Sequence, residues 1–288
     1  MTSNRKALTE RLDRIMALAQ DVPPEENVFS YKGVLYPVLL CSPATFEALE
    51  SFEARSDDVL LAGYPKSGNN WILQILNDLV TADLKKNKEA LEERMKHEEK
   101  GDYTFLEFGD PGKFERIKKL PFRRVLATHL LPGCLPTSIS KNNAKVHVHF
   151  KILQSLLEVL EMVWGSYFDY MIEWNKRINN KNIMFITYEE LKENLILGVK
   201  KITEFFEFSM TEEELQAVMD RSSFQAMNEN SHSTHGTFGN ILFRKGAISD
   251  WKTLFTEAQN QEMERKFEEC LAETKLGAKI MYKKYCKP

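Results

Sequence analysis

Cysteine is scarce in this 288-residue chain: four residues, at positions 41, 134, 270 and 286, with no Cys-x-x-Cys pair and no clustered histidines. That pattern argues against a disulfide framework or a zinc site and fits reduced thiols in a cytoplasmic protein. No apolar run approaches the ~18 residues needed to cross a bilayer, so no membrane span is expected. Glycine (13) and proline (10) are too few for a low-complexity chain. Neither sign of charge dominates: 39 Lys and Arg against 42 Asp and Glu leave a formal charge of −3. A polybasic nucleic-acid binder and an acidic disordered segment are thereby excluded. What is present, 43% hydrophobic and 28% charged residues, is ordinary for a globular domain of one core.

The first stretch carries Leu8, Leu12, Ile15, Met16 and Ala19 at helical spacing. Arg5, Lys6, Glu10, Arg11, Asp13 and Arg14 interrupt any signal-peptide core, so residues 1–27 read as an amphipathic surface helix and lead-in. Residues 28–41 read as two short strands around a Lys32-Gly33 turn. Residues 57–62 form an apolar run suited to a buried parallel strand, and residues 124–128, 144–150 and 183–186 give three more. Ile72, Ile75, Leu76, Leu79 and Val80 share one helix face, and residues 85–102 are so rich in Lys and Glu that a solvated helix or loop is expected. Thr187/Glu190, Thr211/Glu214 and Thr256/Gln259 have capping-box spacing. Strands alternating with capped helices predict an α/β fold, a central parallel sheet flanked by helices. No repeat or linker divides residues 28–288, so one domain is expected.

Between the first buried strand and its helix lies Gly63-Tyr64-Pro65-Lys66-Ser67-Gly68-Asn69-Asn70-Trp71. It is not a Walker A loop, because Lys-Ser precedes the glycine, which counts against a kinase-like phosphotransferase. It still sets an ammonium, a hydroxyl and backbone N–H groups at a helix N-terminus, which suits a phosphate or phosphosulfate; a structural strand-to-helix turn is the alternative. Far along the chain, Phe243-Arg244-Lys245-Gly246-Ala247-Ile248-Ser249-Asp250-Trp251-Lys252 offers a second cationic loop.

Together these segments resemble the cytosolic sulfotransferase family. Thr128-His129-Leu130, Trp164–Asp169, Thr187–Asn194 and Ser223–Met227 add to the resemblance, which runs from about residue 28 to the C-terminus. Tyr31-Lys32-Gly33, Thr234-His235-Gly236 and Lys275–Lys279 look most like the 6B subfamily. The resemblance implies a P-loop-like sulfotransferase fold and transfer of a sulfuryl group from 3′-phosphoadenosine 5′-phosphosulfate (PAPS) to a small hydroxylated acceptor. It implies that Lys66, Ser67, Gly68, Asn69, Asn70 and Trp71 hold the 5′-phosphosulfate, with Lys66 stabilising the leaving phosphate and Trp71 near the adenine. Tyr188, Ser222, Ser223, Phe224, Gln225, Ala226 and Met227 match the adenosine side, and Arg244, Lys245 and Gly246 the 3′-phosphate clamp. His129 matches the base that removes the acceptor proton; an imidazole near pKa ~6.5 suits that task. No metal is needed. His147 and His149 alternate along a strand and His97 lies in the charge run, so none of them competes for the role.

The chain departs from the family pattern after Phe150. The Arg-Asn-Pro-Lys-Asp segment that carries the strongest 3′-phosphate signature is absent, and by Trp164 the pattern resumes. An internal deletion near 150–163 is expected, from a splice variant or an isoform with weakened PAPS binding. Lys151 and Ser155 stand where they could replace part of the lost site, although Lys gives a point charge where Arg gives a fork. Asn69-Asn70 replaces the usual Thr-Thr, and Ala127 a frequent Lys. The family's dimer motif is degraded: Lys252 and Thr256 remain, while Glu257 and Gln261 occupy the Val and Glu positions, so a homodimer is only weakly expected. Phe105, Phe108, Phe168, Phe224 and Phe243 are candidates to line an apolar pocket for a phenol; the 6B likeness suggests a thyroxine-like one.

Overall fold

The computed structural model describes residues 27–98, 105–120, 123–151, 163–223, 225–227, 248 and 256–286. The expected N-terminal helix, residues 152–162 and the Arg244-Lys245-Gly246 loop lie outside them.

β1 (Val28–Tyr31) and β2 (Val34–Pro37) pair antiparallel around Lys32 and Gly33. Both turn residues have positive φ, 50° and 81°, the backbone that a two-residue hairpin with right-handed strand twist requires. The second strand stops at Pro37, short of the residue 41 expected, and Cys41 instead forms an isolated bridge with Phe108. A proline ends the ladder because it has no N–H to donate.

The core sheet contains β3 (Val59–Gly63), β4 (Val125–Thr128), β5 (Lys145–Phe150) and β6 (Ile183–Thr187) in the order β4-β3-β5-β6, every pair parallel. Every residue of β3 and β4 is buried, as in a parallel sheet covered on both faces. One face packs α1 (Pro43–Glu50), α6 (Tyr167–Asn175), α10 (Glu257–Cys270), α11 (Lys275–Ile280) and α12 (Tyr282–Tyr285) around Phe46, Leu60, Val148 and Trp174. The other packs α2 (Asn69–Leu84), α8 (Leu195–Phe206) and α9 (Glu212–Arg221) around Leu61, Ile75, Leu79 and Ile202. α3 (Lys88–Glu98), α4 (Lys113–Lys118), α5 (Thr137–Lys141) and α7 (Tyr188–Glu193) complete the helices among the described residues. α7, α9 and α10 each open on the expected capping box, with both reciprocal hydrogen bonds formed.

Not all of residues 85–102 is a solvated surface. In α3, Arg94 is only 8% exposed and donates to Asn77 Oδ1 (2.7 Å) and the Arg123 carbonyl (3.3 Å), tying α3 to α2. Beneath the sheet, Arg124 forks onto Asp58 at 2.6 and 2.5 Å and stacks over Phe52.

The chain leaves β3 for β4 on one side, then returns to place β5 on the other. Strand order reverses at β3/β5, the point where open α/β sheets form a crevice outside their carboxyl ends. The Lys66 loop, the end of β4 with His129, and the end of β5 with Lys151 meet there.

Candidate active site

The loop after β3 is fixed by backbone requirements. A Cβ on Gly63 would meet Asn69 Oδ1 at 2.0 Å and the His149 carbonyl at 3.0 Å, so only glycine fits. Lys66 has φ 63° and Gly68 φ 92°, and a side chain on Gly68 would strike Tyr188 at 2.9 Å. Asn69 Nδ2 donates to the Tyr64 carbonyl (2.8 Å) and bridges the loop to the first turn of α2. Gly68 caps α2 without a side-chain acceptor, which leaves the helix N–H groups for another partner. Ser67 is fully buried and its Oγ has no hydrogen-bond partner among the described residues. A buried hydroxyl without a partner beside an open helix N-terminus suits an anionic ligand. These observations favour the anion-binding reading of the loop over a plain turn.

Trp71 Nε1 donates to the Ser222 carbonyl (2.7 Å) at the end of α9, and its ring meets Tyr188 edge-on at 5.3 Å. The Lys151 ammonium lies 4.6 Å from the Tyr188 ring centre, and the Tyr167 hydroxyl donates to the Lys151 carbonyl. Lys66, Ser67, Gly68, Asn69, Asn70, Trp71, Tyr188, Ser222 and Ser223 are thus gathered at one sheet end, with Gln225, Ala226 and Met227 following α9. Phe224, Arg244, Lys245 and Gly246 lie outside the described residues.

His129 stands at the end of β4. Its Nδ1 is 2.6 Å from the Gly63 carbonyl, which can only accept, so Nδ1 carries the proton and Nε2 a lone pair. The ring is half-buried among Phe105 (4.6 Å), Trp164 (5.2 Å) and Phe108 (5.7 Å). Burial in that apolar wall lowers its pKa to about 4, which keeps the imidazole neutral and able to accept a proton. Phe105 and Phe108 therefore line the space beside His129 as expected. Phe168 does not; it packs on Tyr167 in the core, and Phe224 and Phe243 lie outside the described residues.

Sequence reasoning missed Glu107. Its carboxylate is fully buried, accepts from the His129 backbone N–H (2.7 Å) and from the Thr128 hydroxyl (2.9 Å), and thereby fixes the chain that presents the imidazole. Desolvation outweighs those donors and raises Glu107 to about 7. Lys113, lowered to about 8 mainly by its own burial, is its buried countercharge and donates to the Phe105 and Phe108 carbonyls. Leu106 N–H donates to the Ala127 carbonyl (2.8 Å), which straps this turn to β4.

A strand–loop–helix turn with an open helix N-terminus and a neutral imidazole at the next strand end is an arrangement suited to group transfer. The sulfotransferase domain matches residues 56–148 and 151–275, and the chain belongs to the sulfotransferase family. It is 42% identical to sulfotransferase 6B1 of Gorilla gorilla gorilla, with 99% of each chain covered, and 41% identical to that of Mus musculus, again with 99% of each covered. The 6B likeness read from the sequence is borne out. The gorilla alignment runs over 311 positions, more than the 288 residues of this chain, so it opens gaps in this chain. Among solved structures, mouse sulfotransferase SULT7A1 complexed with PAP superposes with a TM-score of 0.72 at 27% identity, covering 90% of this chain and 99% of that one. Retinol dehydratase with retinol and PAP shares the fold (TM-score 0.63, 16% identity, 88% and 96% covered). Among the described residues no helix is long and apolar enough to cross a membrane.

Proposed function

We propose that this sulfotransferase moves the sulfuryl group of PAPS to the hydroxyl of a small acceptor, with His129 as general base and Lys66 as stabiliser of the leaving phosphate. One observation carries the assignment of the base: the Nδ1–H of His129 is spent on the Gly63 carbonyl, which leaves Nε2 as the proton acceptor. The acceptor's hydroxyl would approach from the side of Phe105, Phe108 and Trp164, rings that suit a phenol, and the 6B likeness favours a thyroxine-like one. The Ser67 hydroxyl and the open N-terminus of α2 would take the 5′-phosphosulfate, and Lys66 would balance the charge that grows on the leaving oxygen. Trp71, Tyr188 and Ser222–Met227 would border the adenosine. No covalent intermediate is required; alignment and charge stabilisation suffice.

A second reading concerns the donor site. The domain match breaks between residues 148 and 151, at the end of β5, and the curated alignments open gaps in this chain. We infer that a segment of the 3′-phosphate clamp is missing here, so that donor affinity rests on Lys151 and on the Arg244-Lys245-Gly246 loop and is weakened. We further propose that residues 28–288 act as one domain in the cytoplasm, with any homodimer formed weakly.

A sulfation assay with labelled PAPS over phenols, alcohols and amines tests the first reading. His129→Ala should lose at least about a hundredfold in turnover, as expected on removing a general base. Retention of most turnover would overturn the assignment. Weak but saturable binding of adenosine 3′,5′-bisphosphate is expected by titration calorimetry, and no binding at millimolar ligand would sink the PAPS reading.

A further inference from the structure

His149 takes no part in the proposed chemistry, yet it stands against the anion loop. It is the fifth residue of β5, in register with Gly63 of β3 and Ile186 of β6, and it is fully buried. Its Nδ1 is 3.1 Å from the Ile186 carbonyl, so the neutral ring spends its single proton there. Nε2 has no hydrogen-bond partner among the described residues and lies 3.6 Å from the point a Gly68 side chain would occupy. The Ser67 backbone also favours a proton on the ring. His149 thus spends its one proton on β6 and turns a bare Nε2 toward the loop. Under the same loop, Ser67 Oγ is a second buried polar atom without a partner.

We infer that His149 is a proton-linked positioning residue for the donor: it takes up a proton at Nε2 when an anionic phosphate occupies the loop, and then donates from both ring nitrogens, to β6 and toward the loop. The inference rests on the proposed PAPS site. Without an anion, burial holds the imidazole neutral, down to about pKa 3. The ionisable groups around it are His147 of β5, Lys151 just after β5, Tyr188 and Glu189 at the start of α7, and Lys66 of the loop. Lys151 opposes the proton, and His147, buried and neutral, supplies no charge. β3 carries no ionisable side chain, and the first turn of α2 has none. A phosphate dianion in the loop would supply the negative charge that offsets Lys151. One unit charge at ~5 Å and effective dielectric ~20 shifts a pKa by more than two units, and a dianion by about twice that. The free ring must gain this much to titrate near neutrality.

The test is calorimetric titration of adenosine 3′,5′-bisphosphate into the full chain in buffers of different ionisation enthalpy, between pH 6.5 and 7.5. Wild type should take up between about 0.5 and 1 proton more per nucleotide at pH 6.5 than His149→Phe and His149→Gln do. The nucleotide's own phosphate ionisation is common to all three and cancels. The wild-type dissociation constant should weaken by up to about tenfold per pH unit relative to the variants. Imidazole 15N shifts of wild type, free and bound, give the same answer without a variant: His149 Nε2 should change from unprotonated to protonated. Saturable binding with an unchanged Nε2 signal overturns this inference and leaves the PAPS reading intact. No saturable binding at all overturns both.

Discussion

Replacing His147 with leucine should make this protein more stable and less sensitive to acid. His147 is fully buried in β5 between Leu61 of β3 and Met184 of β6, and neither ring nitrogen has a hydrogen-bond partner among the described residues. A neutral imidazole there leaves one donor and one acceptor unmet, at about 1–3 kcal/mol for an orphaned buried group. His147→Leu removes both polar atoms at nearly constant volume, so a gain of about 1–3 kcal/mol is expected at pH 7.5.

The pH dependence sharpens this. The folded state lowers His147 well below the ordinary value, His149 to about 3 and His129 to about 4, in each case chiefly by burial. A depressed histidine contributes stability above its unfolded pKa of ~6.5 and loses it as pH falls, because the unfolded chain binds the proton first. Glu107 runs the other way. Raised to about 7, it takes up its proton in the folded state before the unfolded state does, and it offsets one histidine over the same range. Three protons against one leave a net uptake of roughly two on unfolding between pH 6 and 5, or about 2–3 kcal/mol of stability lost over that unit. Urea unfolding at pH 7.5, 6 and 5 measures it. His147→Leu should remove about one proton from the slope, near 1.4 kcal/mol per pH unit. A variant less stable than wild type at pH 7.5, or one with an unchanged slope, would refute the reasoning.

Three further outcomes follow from the same geometry. Glu107→Gln should lower kcat by about 10- to 100-fold, the loss of a charged hydrogen bond of about 1.5–3 kcal/mol, with the donor KM little changed. Gly63→Ala forces a Cβ to within 2.0 Å of Asn69 Oδ1, so nucleotide binding should weaken at least tenfold by calorimetry while Gly133→Ala, where no atom lies within 4 Å, changes nothing. Arg124→Ala leaves Asp58 buried without its 2.5 and 2.6 Å partners and should cost about 3–5 kcal/mol in urea unfolding, whereas Arg116→Ala at the exposed Asp110 pair should cost less than about 1 kcal/mol.

Local chemistry made most of the frame legible. Capping boxes need only residues three apart, and Thr187, Thr211 and Thr256 each mark a helix start as read. The loop at residues 63–71 was legible because its glycines, Lys66 and Ser67 are contiguous. Glu107 was not. Its partners Thr128 and His129 lie 21 and 22 residues away, and Phe-Leu-Glu-Phe carries no spacing that points to them; the Phe105 bridge to Ala127 and the Leu106 hydrogen bond to its carbonyl bring the segments together. Arg94 was hidden for a related reason: composition averages over the charged stretch, while burial selects one side chain of α3. Alternation of His147 and His149 signals one face of a strand, but in a parallel sheet both faces are covered, so alternation says nothing of exposure.

The two imidazoles beside the loop show why position, not residue type, divides their work. Each spends its Nδ1 proton on a strand carbonyl, His129 on Gly63 and His149 on Ile186, so each offers a bare Nε2. His129 follows β4 directly, half-exposed, with aromatic rings on one side. His149 lies one strand over on the far side of β3, wholly covered, with Nε2 turned to Gly68. A base must be reached by the proton it removes, so only His129 can serve the acceptor. His149 can answer only to what enters the loop. If both assignments hold, His129→Ala abolishes transfer and spares nucleotide-linked proton uptake, while His149→Phe abolishes that uptake and changes donor binding but keeps the chemical step at saturating donor; the two phenotypes exchanged, or both lost together in either variant, would return the pair to a single shared role.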